Sequence, residues 1–121
     1  MSVSRLALHH QGPTFSRLIM GYWRLVEWGL CPAAVLHLMK YPLDLGVTTI
    51  DHADIYGGYP CEEAFGQALR LEPSLRSRME IVSKCGIALT AKPEHALNHY
   101  NTSKGHIVAS AEASLQKLGT D

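Results

Sequence analysis

The sequence predicts an α/β protein built on parallel strands, and three observations carry that prediction. Apolar, β-branched runs alternate with segments whose apolar residues recur at helical spacing, the order expected of strands covered by helices. The polar ends of successive strands recur at a steady interval, 30 residues from Gly21 to Asp51 and 33 from Asp51 to Lys84. An eight-fold barrel of roughly 250 residues allots about 31 to each strand–helix unit, so the interval suits it, although a doubly wound sheet has similar spacing. The chain of 121 residues is long enough for one domain and short for two. Its last predicted element is a helix where a fourth strand is due. An open three-stranded parallel sheet would leave edges and apolar faces uncovered, so part of a larger fold is expected.

The elements follow in order. "RLALHH" alternates as a short strand does and "QGP" after it is a turn signal, together an N-terminal hairpin. "RLIMGYW", Arg17 to Trp23, reads as a buried strand ending at Gly21. Pro32 suits the first position of a helix. Val35, Leu36, Leu38, Met39 and Leu43 continue it at helical spacing, and Gly46 is a natural stop. Pro42 inside that span costs about 3 kcal/mol or bends the axis, so a kink or an early end is expected there. "VTTID", Val47 to Asp51, is a strand by its β-branched content. "PCEEAFGQALRLEP" reads as a helix, with Glu62 and Glu63 in the first turn where the macrodipole favours them. "MEIVSKCG", Met79 to Gly86, is a third strand; residues 87–105 read as a long polar loop. "HIVASAEASLQKLG" closes the series as an amphipathic helix capped by Thr102 or Ser103.

Composition narrows the function. The formal net charge is zero and the pI about 7.1, which leaves no electrostatic footprint for nucleic acid or an anionic membrane. No apolar run reaches the roughly 18 residues of a membrane span, and the N-terminus lacks the apolar core of a secretory signal. Cys31, Cys61 and Cys85 are widely spaced and form no C-x-x-C pair. Reduced thiols in the cytoplasm are the simplest expectation.

The chemistry is concentrated in "VTTIDHADIYGGY", Val47 to Tyr59. Active sites of parallel α/β folds lie at the carboxyl ends of the strands. Three strands here end near Gly21-Tyr22-Trp23, Asp51 and Lys84, and the loop after the second adds Tyr56. Neighbouring strands lie about 4.8 Å apart, close enough for Asp51 and Lys84 to meet. A free phenol, with a pKa of about 10, is too weak an acid to donate readily at neutral pH, and a nearby ammonium favours its ionised form. Lys84 would supply that ammonium and Asp51 would hold it protonated and oriented. Tyr56 then becomes a general acid for a carbonyl oxygen that is gaining negative charge.

These residues carry a resemblance. "GVTTIDHADIYGGYPCEEAFGQAL" resembles the signature of the aldo-keto reductase family: a strand-end Asp, a Tyr five residues later, and a helix with a Glu and a Gly. "IVSKCG" is similar to the family's lysine-bearing strand, and the match runs from about Phe15 to the last residue, with "FSRLIMGYWRL" in its first strand. The resemblance implies the N-terminal part of a (β/α)8 TIM barrel, NADPH as hydride donor and a small-molecule carbonyl substrate reduced to an alcohol. It implies Tyr56 as proton donor with Lys84 and Asp51 tuning it. Gly21, Tyr22, Trp23 and Arg24 match the first-strand loop beside the nicotinamide and ribose, and Asp51 and Tyr56 also border the cofactor. The family's catalytic histidine on the fourth strand and its later cofactor-binding segments have no counterpart here. The missing C-terminal barrel half is expected to be needed for a complete site, and the 121 residues alone are expected not to turn over. The other reading is a non-catalytic remnant or auxiliary protein.

Other residues have plainer readings. Asp54 reads as a loop hydrogen-bonding residue, because the acid–base roles are filled. His95 and His99 are too few for a closed zinc site and lack the H-E-x-x-H order, so no metal is expected. Gly57-Gly58 lacks the flanking pattern of a phosphate loop and reads as a turn. Cys61 and Cys85 are expected to be buried and inert.

Overall fold

The computed structural model describes residues 2–121. The chain enters through an antiparallel hairpin, β1 (Arg5–Ala7) paired with β2 (Thr14–Ser16). Three parallel strands follow, β3 (Ile19–Gly21), β4 (Thr49–Asp51) and β5 (Glu80–Val82), in the order β3–β4–β5. Helices α1 (Pro32–Asp44) and α2 (Cys61–Leu69) make the crossovers, and α3 (Lys104–Leu118) follows β5. Gly21, Asp51 and Val82 lie in register, so the three strands finish at a common rim. The core lies where Ile50 of the central strand meets Val35, Met39 and Leu43 of α1 and Phe65 and Leu69 of α2.

The hairpin lies at the opposite end of the sheet from that rim. Ser16 Oγ accepts from the Thr48 and Thr49 amides, 3.1 and 2.9 Å away, at the start of β4. Arg5 reaches Thr48 and Glu80 through 2.6 Å contacts, binding the hairpin to the starts of β4 and β5. Partial burial pushes the Glu80 carboxyl up, but hydrogen bonds from Arg5, Thr48 and Thr49 outweigh it and hold the group below its ordinary range.

The predicted elements need four corrections. The strand at Arg17–Trp23 is not buried: only Ile19–Gly21 is ladder-paired, and Leu18 and Ile19 are 61% and 54% exposed, because β3 pairs on one side only. Of the kink or early end expected at Pro42, the early end does not occur. The helix runs two residues past Pro42, which is buried. Gly46, with φ of 85°, then reverses the chain as expected. Helix α2 stops at Leu69 rather than Pro73, and Pro73–Arg78 forms a 3₁₀ segment that leads into β5. The loop 87–105 contains a small hairpin, β6 (Ile87–Ala88) with β7 (His99–Tyr100). Ser103 caps α3, accepting from the His106 amide at 3.3 Å.

Helices α2 and α3 touch most closely at Gly66, where an added Cβ would lie 1.9 Å from the Lys117 carbonyl oxygen. A side chain there has no room, so glycine sets the spacing of the two helices.

Candidate active site

Asp51, Tyr56 and Lys84 converge at the rim. Asp51 ends the central strand β4, and its carboxylate stands between the other two groups. Tyr56 Oη donates to Asp51 Oδ2 at 3.0 Å, and Lys84 Nζ donates to Asp51 Oδ1 at 2.6 Å. Lys84 Nζ also donates to the His52 carbonyl at 2.7 Å and lies 5.1 Å from the Tyr56 ring centroid. Partial burial pulls the Lys84 ammonium toward deprotonation, but hydrogen bonds and charge from Asp51 and Tyr56 win and strengthen its hold on the proton. Asp51 therefore bridges phenol and ammonium, a tighter arrangement than one in which it orients the lysine alone.

Local structure brings the three together. β4 and β5 place Asp51 opposite Val82, and the two residues after β5 carry Lys84 beyond the strand end, where its ammonium reaches Asp51. The loop after β4 turns at Tyr56, whose amide donates to the Ala53 carbonyl at 3.1 Å. Gly57 and Gly58, with φ of 68° and 73°, form the turn expected of them.

The first-strand loop divides. Gly21 is exposed beside Asp51, and a Cβ built on it meets nothing within 4 Å. Trp23 is 66% exposed, and Arg24 is exposed and paired with Glu27 at 2.7 Å. Tyr22 differs: its ring is fully buried, so its contact with any bound group at the rim is limited to its backbone. Burial drives the Tyr22 phenol well above its usual pKa.

Three features near the site escape a sequence reading. His52 is wholly buried and stacks on Tyr22, centroids 5.3 Å apart, with Phe65 edge-on at 4.6 Å. Glu62 is also fully buried, accepting from Ser83 Oγ and Ser114 Oγ at 3.0 Å each, and so ties α2 to β5 and α3. Tyr59 bonds to the segment beyond β6, where its phenolic oxygen accepts from the Leu89 amide at 2.7 Å. The partners of Glu62 lie 21 and 52 residues away; no local pattern announces them.

The remaining candidates fall as follows. Asp54 is nearly buried and its amide donates to the Lys84 carbonyl. Burial raises its carboxyl pKa against the opposing pull of the Ile55 amide and of Lys92, His106 and Lys117. Cys61 is buried, with its thiol 3.5 Å from the Trp23 carbonyl, whereas Cys85 is exposed, which corrects the expectation of a buried thiol. It lies just past the end of β5, where the chain has left the core. His95 and His99 each bond a backbone carbonyl through Nδ1, and their rings stand 5.5 Å apart.

A mainly apolar cleft of about 390 Å³ opens beside Tyr56, lined by Ala53, Ile55, Lys84, Ile87 and Tyr100 among others. The rim groups can deliver a proton and steady negative charge. The surface at Gly21 beside Asp51 is open and flanked by exposed Trp23 and Arg24. Among the described residues no helix is long and apolar enough to cross a membrane.

Comparison with known proteins gives the family and the fold. The model of the aldo/keto reductase family matches residues 17–121. The oxidoreductase YdhF of Escherichia coli is 58% identical over 119 residues, covering 98% of this chain and 40% of the relative. A 6-dehydroglucose reductase of Agrobacterium fabrum is 44% identical over 109 residues, covering 88% and 37%. The holo form of aldo-keto reductase AKR11C1 from Bacillus halodurans shares the fold with a TM-score of 0.77 at 24% identity, over 98% of this chain and 37% of that one. The chain thus spans about two fifths of the length of the curated relatives it matches.

Proposed function

The chain belongs to the aldo/keto reductase family and folds as the first three strand–helix units of its (β/α)8 barrel with an N-terminal hairpin, and from that premise we propose that it carries the proton-delivering part of an NADPH-dependent carbonyl reductase. The observation that carries this reading is the Asp51 carboxylate holding Tyr56 and Lys84 on its two oxygens. Gly21, Trp23 and Arg24, with the backbone of Tyr22, would border the nicotinamide and ribose. A reduced nicotinamide, when bound, supplies the hydride that turns a carbonyl carbon into an alcohol carbon. Tyr56 would turn its Oη proton away from Asp51 Oδ2, its acceptor in this structure, and give it to the carbonyl oxygen of the small-molecule substrate as charge develops there. Lys84, kept protonated by Asp51, steadies the phenolate that remains. The apolar cleft beside Tyr56 holds the substrate and keeps water from the oxygen.

Turnover belongs, on this proposal, to the completed barrel of the cytoplasmic reductase, where later strands supply the rest of the cofactor site. The free, unbridged cysteines suit that reducing compartment. The test is a chimera in which this chain is joined to the part of its Escherichia coli relative that it does not cover. It should oxidise NADPH in the presence of a carbonyl substrate. Tyr56→Phe should lower kcat by about 10²- to 10⁴-fold, the usual contribution of a general acid, while NADPH affinity by fluorescence titration changes less than about twofold. A chimera that folds and binds NADPH yet reduces no carbonyl, or a Tyr56→Phe variant at full speed, refutes the assignment and favours the auxiliary role.

A further inference from the structure

Gly57, Gly58 and Tyr59, the three residues after Tyr56, have φ of 68°, 73° and 86°. Glycine adopts such angles freely; tyrosine does not, and Tyr59 is the one non-glycine residue with positive φ among those described. Such a conformation persists only where the surroundings hold it. Here the Tyr59 amide donates to the Ile55 carbonyl at 3.2 Å, and its phenolic oxygen accepts from the Leu89 amide at 2.7 Å. Lys92 Nζ lies 4.4 Å from the ring centroid, and the ring is buried. Leu89 follows directly on β6, and its carbonyl is held in turn by His95 Nδ1 at 2.8 Å.

The cleft beside Tyr56 has two walls from separate stretches of chain. One is the turn 53–56; the other comprises residues 84–87 with Tyr100 and Thr102. We propose that Tyr59 is a positioning residue that fixes the width of this cleft, holding the Tyr56 turn against the β6–β7 wall. Its backbone is continuous with the first wall, where the Cys61 amide also donates to the Tyr56 carbonyl at 3.2 Å. Its phenol grips the second wall through Leu89. Glycine at this position would relax the turn but provide no grip, which explains why a strained tyrosine stands where the two preceding residues are glycine. The inference rests on Tyr56 as proton donor, but its test needs no turnover.

The test is nuclear magnetic resonance on the full chain with labelled tyrosine rings and amides. In Tyr59→Phe the Leu89 amide should exchange about five- to tenfold faster, as expected for the loss of one ordinary hydrogen bond. The Tyr56 and Tyr100 ring signals should move with it. Lys92→Met, which leaves the phenolic oxygen in place, should keep the Leu89 amide protected. Unchanged Leu89 exchange in Tyr59→Phe, or faster exchange with stationary Tyr56 and Tyr100 signals, overturns the proposal; the second result would make the bond a local structural detail. If Tyr59→Phe does not fold, fluorotyrosine at position 59 weakens the acceptor with the shape retained. It should raise Leu89 exchange in the same direction, and no rise overturns the proposal. A chimera without turnover but with these signals intact would count against the proton-donor role and leave the coupling of the walls standing.

Discussion

Replacing His52 by Phe should flatten the acid limb of the stability curve. The imidazole is fully buried between Tyr22 and Phe65, and neither ring nitrogen has a partner among the described residues. Burial lowers its pKa from 6.5 to about 4, with the Asp51 charge opposing and the Lys84 charge assisting. The unfolded ring takes up a proton near its ordinary pKa, so between the two values the unfolded chain holds more protons than the folded one. Stability from the neutral ring is therefore complete above the unfolded pKa and is lost as pH falls through the window toward the folded value. The linkage relation gives a loss of about 2 kcal/mol on going from about pH 7.5 to about pH 5, approaching roughly 3 kcal/mol at lower pH. Phenylalanine fills the same site without titrating and strands no hydrogen-bonding atom. Urea unfolding of both proteins at the two pH values isolates the effect, because the carboxylates titrate in both. The native chain should lose about 2 kcal/mol more than His52→Phe. Equal losses would refute the reasoning, since they would mean that the buried imidazole protonates without penalty.

Two further outcomes follow from packing and exposure. Gly66→Ala places a methyl group 1.9 Å from the Lys117 carbonyl oxygen. The helices must separate, so thermal unfolding should show a loss of at least about 2 kcal/mol, whereas Gly105→Ala, within α3 and with nothing near its Cβ, should lose nothing or gain up to about 1 kcal/mol. With a thiol reagent at neutral pH, the exposed Cys31 and Cys85 should react in the folded chain and Cys61 only on unfolding. Burial also raises the Cys61 thiol pKa and opposes formation of the reactive thiolate.

Much of the site could be read from the sequence because its parts lie close to strand ends. Asp51 ends β4, and Lys84 lies two residues past the end of the neighbouring parallel strand β5, which is shorter than the predicted Met79–Gly86. Tyr56 follows five residues after Asp51, so strand ends and spacing bring the three to one rim. The strands and α1 were legible for a similar reason, since β-branched runs, Pro32 and Gly46 act locally. What stayed hidden depends on distant partners. Glu62 looks like a solvated first-turn acid until Ser83 and Ser114 close over it. Tyr22 and Trp23 are adjacent aromatics with equal claims on a cofactor, and only the packing of Phe65 and His52 decides that the first goes inward. The β6–β7 hairpin has two residues per strand, too short for any alternation to show.

The N-terminal hairpin gives the molecule a floor. Arg5 and Ser16 fasten it to the starts of the strands, while Asp51, Tyr56 and Lys84 stand at the far ends. Conservation of shape and invention of chemistry are thereby assigned to opposite poles of the same short sheet. Changes at Arg5 or Glu80 would loosen the hold of the hairpin on β4 and β5, and changes in the loops above Asp51 would act on the rim where Tyr56 and Lys84 meet it.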